Sequence, residues 1–599
     1  MSEPESQLDV QVLNSPISNL SDDVLWSIFY SGSAMTEETE STAPVFRTLL
    51  HCSHVCCRWR NLINSSPVLW GRVINIKYLM NQSWREEIMR RTGNASLSIT
   101  ASQLCIITQY GSPPPNSNPQ PATRTISLIP FLLPYWERIR YLDVRILSGN
   151  YSGFLAQFQH LLVRPAPVLE KFSLEMPSNA ERWWSDMTPG KVFDNQAPRL
   201  KQFFASNVTI SPTTPWLRHI REFGLSGFVR IDWLLQALAS MPSLETLRDA
   251  RGSLTYFEFA LESPLPKVRL PSLKNVIVNT KAIDLRPYLE FFTRASPSKP
   301  CYVQLTMNSS GHSEDTMRRL NYSDTAADIL RVLPEFCQLS NVTYIGLSSK
   351  KPTTTDYNAG LSFRDDWGVT LDIHLSAPFG CPARKRLQNL LRTALMSTRI
   401  HGVQELSFFP SMDGTRALFT DLDIFYRICW TKTLRTSPYG IQCLVDFDKK
   451  GSGSSTILPA LHTIILDAVP QVMEIPSMKL FFDWRMSVWS DAKLKLLHMS
   501  ASDLSFCIPT LPNALGDPSP DEWAQAIYEA KAVAWLHQFT GMRVIVDYSI
   551  VVGNEQTQAR LDFLCRGSGR SQVRRESSLN LPQASRHLEE GTSGSSRAY

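Results

Sequence analysis

Long apolar runs are missing from this 599-residue chain. No stretch reaches the ~18 apolar residues of a membrane-crossing helix. The nearest, ISLIPFLLPYW, is short and is broken by Pro130 and Pro134. The opening, MSEPESQLDV, has neither the basic nor the apolar region of a secretion signal, which predicts a cytoplasmic or nuclear protein. Without a secretory route, the sequons at Asn94, Asn150, Asn207 and Asn341 carry no meaning. Cysteine is sparse: eleven residues with no regular pairing predict buried thiols in a reduced compartment. Charge of one sign is lacking too. The net charge is +5, part of it in the tail from Arg566 with its six Arg against three Glu, so nucleic acid is not expected as a partner.

Signatures of catalysis are also absent. No phosphate-binding G-x-x-x-x-G-K-[ST], dinucleotide-binding G-x-G-x-x-G or nucleophile-bearing G-x-S-x-G occurs. KKGSGSS at Lys449 lacks the lysine that should follow its glycines. In TDLDIF, Asp421 and Asp423 would share one strand face, but two carboxylates make a poor cation site without further ligands. The reading is therefore a non-enzyme with no catalytic residue, no cofactor and no metal.

What the chain does have is 43% hydrophobic residues, enough for a large core. Near the start, CSHVCCRWRNLINSSPVLW crowds three cysteines, a histidine and two tryptophans together. Val55, Trp59, Leu62 and Ile63 recur at steps of four, three and one, with Cys52 and Cys56 on the same side; this predicts one helical face ended by Pro67. A zinc site would need a second ligand pair at the right distance, and the next cysteine is Cys105. Upstream, Ser21 is placed to cap a helix with Asp22 and Asp23 in its first turn, and Leu20, Val24, Leu25, Ile28 and Phe29 form its apolar stripe. A unit of about 60 residues is too small to be very stable alone, so its apolar surface should continue into a partner or a neighbouring domain.

NLSDDVLWSIF followed by LLHCSHVCCRWRNLINSSPVLW resembles the F-box. Leu20, Val24, Leu25, Ile28 and Phe29 match its first block, Val55, Cys56, Trp59, Arg60 and Leu62 its second, and Leu69 and Trp70 its closing pair. Ser21 stands where the family carries proline, Asp23 where Glu is common, and the loop after Tyr30 is long. The resemblance implies docking of these helices on the Skp-type adaptor protein of a cullin-RING ubiquitin ligase.

The remainder repeats a pattern L-x-x-Φ-x-Φ, often just after a proline. It begins at Ile139, Leu169, Leu200, Leu244, Leu273, Val342, Val403, Leu461 and Leu494. The three longest gaps each hold one alternating segment, YVQLTM, VTLDIHL and IQCLV, which are read as strands. Helical stretches such as RIDWLLQALASM lie between, and DEWAQAIYEAKAVAWLHQF is followed by the strand RVIVDYSIVV. One strand and one helix per ~30 residues resembles leucine-rich repeats, whose stacking gives an α/β solenoid with parallel strands. A compact parallel α/β domain would alternate in a similar way. YGSPPPNSNPQPATR, SSKKPTTTDYNAG and DKKGSGSST are read as loops.

The expected organisation is a disordered start over 1–14 and an F-box-like helical unit over 15–78. An irregular leucine-rich-repeat-like solenoid follows over 79–565, then a disordered tail over 566–599. The function expected is an F-box-type adaptor that brings a target protein to ubiquitination. The alternative is a non-ligase scaffold whose helices pack only on its own repeats.

Overall fold

A computed structural model describes residues 16–33, 45–76, 79, 81–106, 128–149, 158–176, 192–206, 210–226, 229–249, 254–255, 264–280, 284–308, 322–353, 356–378, 381–398, 400, 402–410, 424–450, 457–467, 474–488, 494–501, 535–552 and 555–565. The expected termini over 1–14 and 566–599, the loop at 110–124, the pair Asp421 and Asp423, and most of the helix expected at 521–539 lie outside them. The fold is mixed α/β, and the chain divides into two compact units. The first runs to Leu339 and adds Val369–Ile373; the second holds Ser340–Gly368 and everything from His374 on.

The first unit opens with four helices, α1 (Asp22–Gly32), α2 (Val45–Val55), α3 (Cys57–Asn64) and α4 (Pro67–Gly71). Strand Ile74–Asn75 then pairs in parallel with Leu97–Ile106, and that strand with Ile139–Gly149. Lys171–Glu175, Gln202–Ser206, Glu222–Ser226, Thr246–Asp249, Asn275–Thr280 and Tyr302–Asn308 follow, each parallel to the one before. Along these nine strands spatial order equals chain order, while Val229–Arg230 pairs separately with Leu254–Thr255 and Val268–Leu270 with Ala295–Pro297. One register row, Ile74, Ile99, Leu142, Phe172, Phe203, Phe223, Leu247, Val276 and Val303, is buried throughout. Within it Phe172 stacks on Phe203 at 5.6 Å and Phe203 on Phe223 at 5.9 Å, with Trp216 against Phe203 at 5.1 Å. Each such ring contributes roughly 2–3 kcal/mol through burial.

In the second unit, Val342–Thr353 pairs antiparallel with Asp356–Asp365 and parallel with Glu405–Phe409. Thr433–Thr436, Thr463–Leu466, Leu496–Ala501 and Arg543–Val552 continue in parallel, and Glu555–Leu564 closes antiparallel. Its inner row is Ile345, Leu406, Leu434, Ile464, Leu497 and Val544, all fully buried. Among the described residues no sheet closes into a barrel.

The prolines of the repeat have a local cause. Ahead of five strands the amide of the motif leucine donates to the carbonyl three residues back: Leu169 to Ala166, Leu200 to Ala197, Leu244 to Met241, Leu273 to Leu270 and Leu461 to Leu458. The second turn position is Pro167, Pro198, Pro242, Pro271 and Pro459, where a ring that presets φ suits a β-turn. Both flanking residues of each turn are buried, so the turn anchors each strand to the core.

All nine repeat segments lie on strands, and RIDWLLQALASM contains a helix, Ile231–Ala239, with Ile231, Leu234, Leu235 and Leu238 buried. Three expectations need correction. IQCLV is not a strand but part of the helix Pro438–Lys450: Ile441, Leu444 and Phe447 are buried at steps of three, and Pro438 begins the helix. SSKKPTTTDYNAG is not a loop, because its backbone forms the antiparallel hairpin of Val342–Thr353 with Asp356–Asp365. The start of DKKGSGSST, Asp448 to Lys450, also belongs to a helix.

Candidate functional site

The opening helices also depart from the expected pattern. The single helical face expected through Cys52, Cys56 and Trp59 is broken at Cys56, which is extended at φ −154° and caps α3, its Sγ accepting from the Trp59 amide at 3.5 Å. The break tilts Trp59 edge-on to Phe29, with ring centroids 5.1 Å apart. Arg58 ties α3 to α1, donating through Nε to Asp22 Oδ1 at 2.8 Å, and Ser21 caps α1 as expected by accepting from the Val24 amide at 3.4 Å. The anchor of the unit is Trp70. Trp70 is fully buried, donates Nε1–H to the Ile63 carbonyl at 3.0 Å and carries the Arg91 guanidinium 4.6 Å from its ring.

Burial divides the residues expected at a partner surface. Leu25, Phe29, Leu69 and Trp70 form the interior of the unit, and Leu20, Trp59 and Leu62 are half-buried. Cys56 is exposed, as are Val24 at 45%, Ile28 at 49% and Val55 at 63%. Val24 and Ile28 sit one turn apart and line a shallow groove with Asp23, Ser27 and Ser31. No three His, Cys, Asp or Glu side chains come together as ligands among the described residues, and no helix there is long and apolar enough to cross a membrane.

A second surface was not read from the sequence. The outward face of the first unit's sheet is polar and holds a cavity of about 600 Å³. Its lining includes Arg72, Tyr141, Asp143, Lys171, Lys201 and Arg221. Burial pushes the Asp143 carboxyl up against the pull of Arg145, and pushes the Lys171 ammonium down against the pull of Glu222. Glu170 is also partly buried, but Arg140, whose Nη2 donates to it at 3.0 Å, the charge of Lys201 and the Tyr141 hydroxyl, donating at 3.3 Å, hold it below its ordinary value. Next to this cavity a Cβ on Gly224 would meet Phe204 Cδ2 at 2.0 Å, so the missing side chain lets that ring lie across the neighbouring strand. The alternation of strand residues was the available signal, as in KFSLE, where Lys171, Ser173 and Glu175 alternate with buried Phe172 and Leu174.

No protein-family model matches the chain, and no curated protein matches it in sequence.

Proposed function

We propose that the chain is an F-box-type adaptor of a cullin-RING ubiquitin ligase, its opening helices binding the Skp-type adaptor and its strand-bearing part holding a target protein. The observation that carries this reading is the exposed pair Val24 and Ile28 on α1, above a buried Leu25 and Phe29. An amphipathic helix with apolar residues on its outer side has a second surface to cover. The parallel order of the nine strands from Ile74–Asn75 to Tyr302–Asn308, which follows chain order, supports reading the rest as stacked leucine-rich-type repeats. Catalysis then belongs to the partner enzymes, and this chain contributes proximity.

One observation favours the non-ligase scaffold instead. The helical unit runs straight into strand Ile74–Asn75, which pairs with Leu97–Ile106, so the helices also suit an end cap for the sheet. Co-purification of the full chain with the Skp-type adaptor separates the two. The wild type should bind, and Val24→Asp with Ile28→Asp should abolish binding without unfolding, since both side chains are exposed. A wild type that does not bind, or a double variant that still does, rejects the ligase reading.

A further inference from the structure

Cys301 and Cys337 meet in the first unit. Cys337 is the last residue of the helix Tyr322–Cys337, and Cys301 stands just ahead of strand Tyr302–Asn308. The Cys301 amide donates to the Cys337 carbonyl at 3.3 Å. A backbone bond of this kind holds two Cα atoms roughly 5–6 Å apart, inside the window of about 4.4–6.8 Å that a disulfide spans. Both cysteines are free thiols, and both are fully buried. Burial pushes the Cys301 thiol up to about 12. Burial, and then the charge of Cys301, pushes the Cys337 thiol up as well, so the two sulfurs act on one another.

A second contact holds the same helix end. Gln338 follows Cys337 with a left-handed φ of 58°, which terminates the helix, and its Nε2 donates to the Pro297 carbonyl at 2.6 Å. On the other side of Cys337, Phe336 packs edge-on to Phe292 at 5.1 Å and tilted against Phe291 at 5.9 Å. The thiols therefore sit in an apolar clasp between the helix end and the segment 297–301. Leu339, two residues on, is where the chain first leaves the first unit. Zinc does not explain the pair, because no third His, Cys, Asp or Glu joins it as a ligand among the described residues. Buried cysteines commonly serve only as small apolar side chains. Direct backbone contact between two of them adds a chemistry that packing does not require.

We propose that Cys301 and Cys337 are a redox pair, a dithiol that converts to a disulfide and locks the end of helix Tyr322–Cys337 onto segment 297–301. The oxidant is a small-molecule disulfide. One protein thiol loses its proton and attacks the oxidant, forming a mixed disulfide and releasing one small thiolate. The second protein thiol loses its proton and attacks the protein sulfur of that mixed disulfide, releasing the other small thiolate. Two electrons pass to the oxidant, and its two thiolates take up the two protons. At neutral pH both buried thiols stay protonated, so the first attack waits for the clasp to open. The bond is then slow to form and slow to be reduced, unlike bonds made by the exposed Cys56 and Cys57. It closes a loop of about 35 residues, and the chain entropy removed makes opening about a hundredfold rarer. None of this needs a Skp-type adaptor, so the pair and the adaptor reading fail separately.

The test incubates the purified full chain with glutathione disulfide in native buffer. Peptide mass spectrometry without reduction reads the linkage, and amide exchange reads helix Tyr322–Cys337. A peptide pair joined through Cys301 and Cys337 should accumulate, and exchange in the last turn of the helix should slow about a hundredfold. Reduced glutathione should strip Cys56 and Cys57 while leaving this link, and dithiothreitol in urea should reverse it. Cys301→Ala and Cys337→Ala, each alone, should abolish both the link and the slowing. Should either alanine loosen the helix, Cys301→Ser should give the same loss. Glutathione on both cysteines with no link between them, a link that forms only in urea, or a linked protein whose helix exchanges as fast as the reduced one would each overturn the proposal.

Discussion

Arg485 is 1% exposed in the second unit and spends its charge on one turn. Nη2 donates to the Leu461 carbonyl at 2.7 Å and Nη1 to Leu458 at 2.9 Å, with longer bonds to Ile457 at 3.4 Å and Pro459 at 3.5 Å. The turn it grips is the proline turn ahead of Thr463–Leu466, and Leu458 adopts a left-handed φ of 52° there, unusual for a β-carbon-bearing residue. Two short charge-assisted bonds are worth ~3–6 kcal/mol. Burial opposes them: it lowers the guanidinium from 12.5 to about 10, equivalent to ~3 kcal/mol against the charged form. The difference, about 2 kcal/mol, is the loss expected for Arg485→Met, which removes the bonds and the buried charge together. Arg485→Lys should lose more, because it keeps a buried charge while the planar fork that reaches several carbonyls is gone. Urea unfolding of the second unit, with amide exchange across 457–467, measures both. The expected order of stability is Arg, Met, Lys. A lysine variant as stable as the wild type would show that charge alone suffices, and a methionine variant as stable would show that the turn does not depend on residue 485.

Trp70→Ala should destabilise the opening helices by about 4 kcal/mol, since it removes a buried ring and leaves the Ile63 carbonyl without its donor. Trp59→Ala should lose only about 1–2 kcal/mol, as Trp59 is half-buried with one edge-to-face contact; amide exchange across α1–α4 ranks them, and the reverse order would refute the assignment of Trp70 as anchor. Glu87 is held at about 2, below its ordinary 4.5, by hydrogen bonds from Arg90 and Arg91. A depressed carboxyl stabilises the folded state above its unfolded value and loses that contribution as pH falls from 4.5 toward 2. Glu87→Gln should therefore flatten the acid sensitivity of helix Gln82–Arg91 over that window, and an unchanged profile by amide exchange would contradict this.

The repeat was legible wherever a turn and a strand are specified by neighbouring residues. Proline, then leucine two positions on, then apolar residues at alternate positions form a local code for a β-turn feeding a half-buried strand, and each such segment is a strand. The gap between Leu200 and Leu244 could have been filled from the same code: Ile220 and Phe223 keep the spacing leading into strand Glu222–Ser226, but Arg218 stands in place of the proline. IQCLV was misread because a five-residue apolar run fits both periods, and only packing on the core selected the helix. At the start of the chain the apolar residues were identifiable, but their direction was not. Adjacent Val24 and Leu25 are both apolar, and only the packing of α1 on α3 decides that Leu25 faces in and Val24 out. The break at Cys56 and the burial of Trp70 over Trp59 have the same origin, contacts between helices far apart in sequence. The row of charged residues at the strand starts lies furthest beyond sequence reading. Arg140, Glu170, Lys201, Arg221, Glu245 and Lys274 are 20 to 31 residues apart in the chain, and only parallel pairing in register makes them neighbours that form ion pairs across strands.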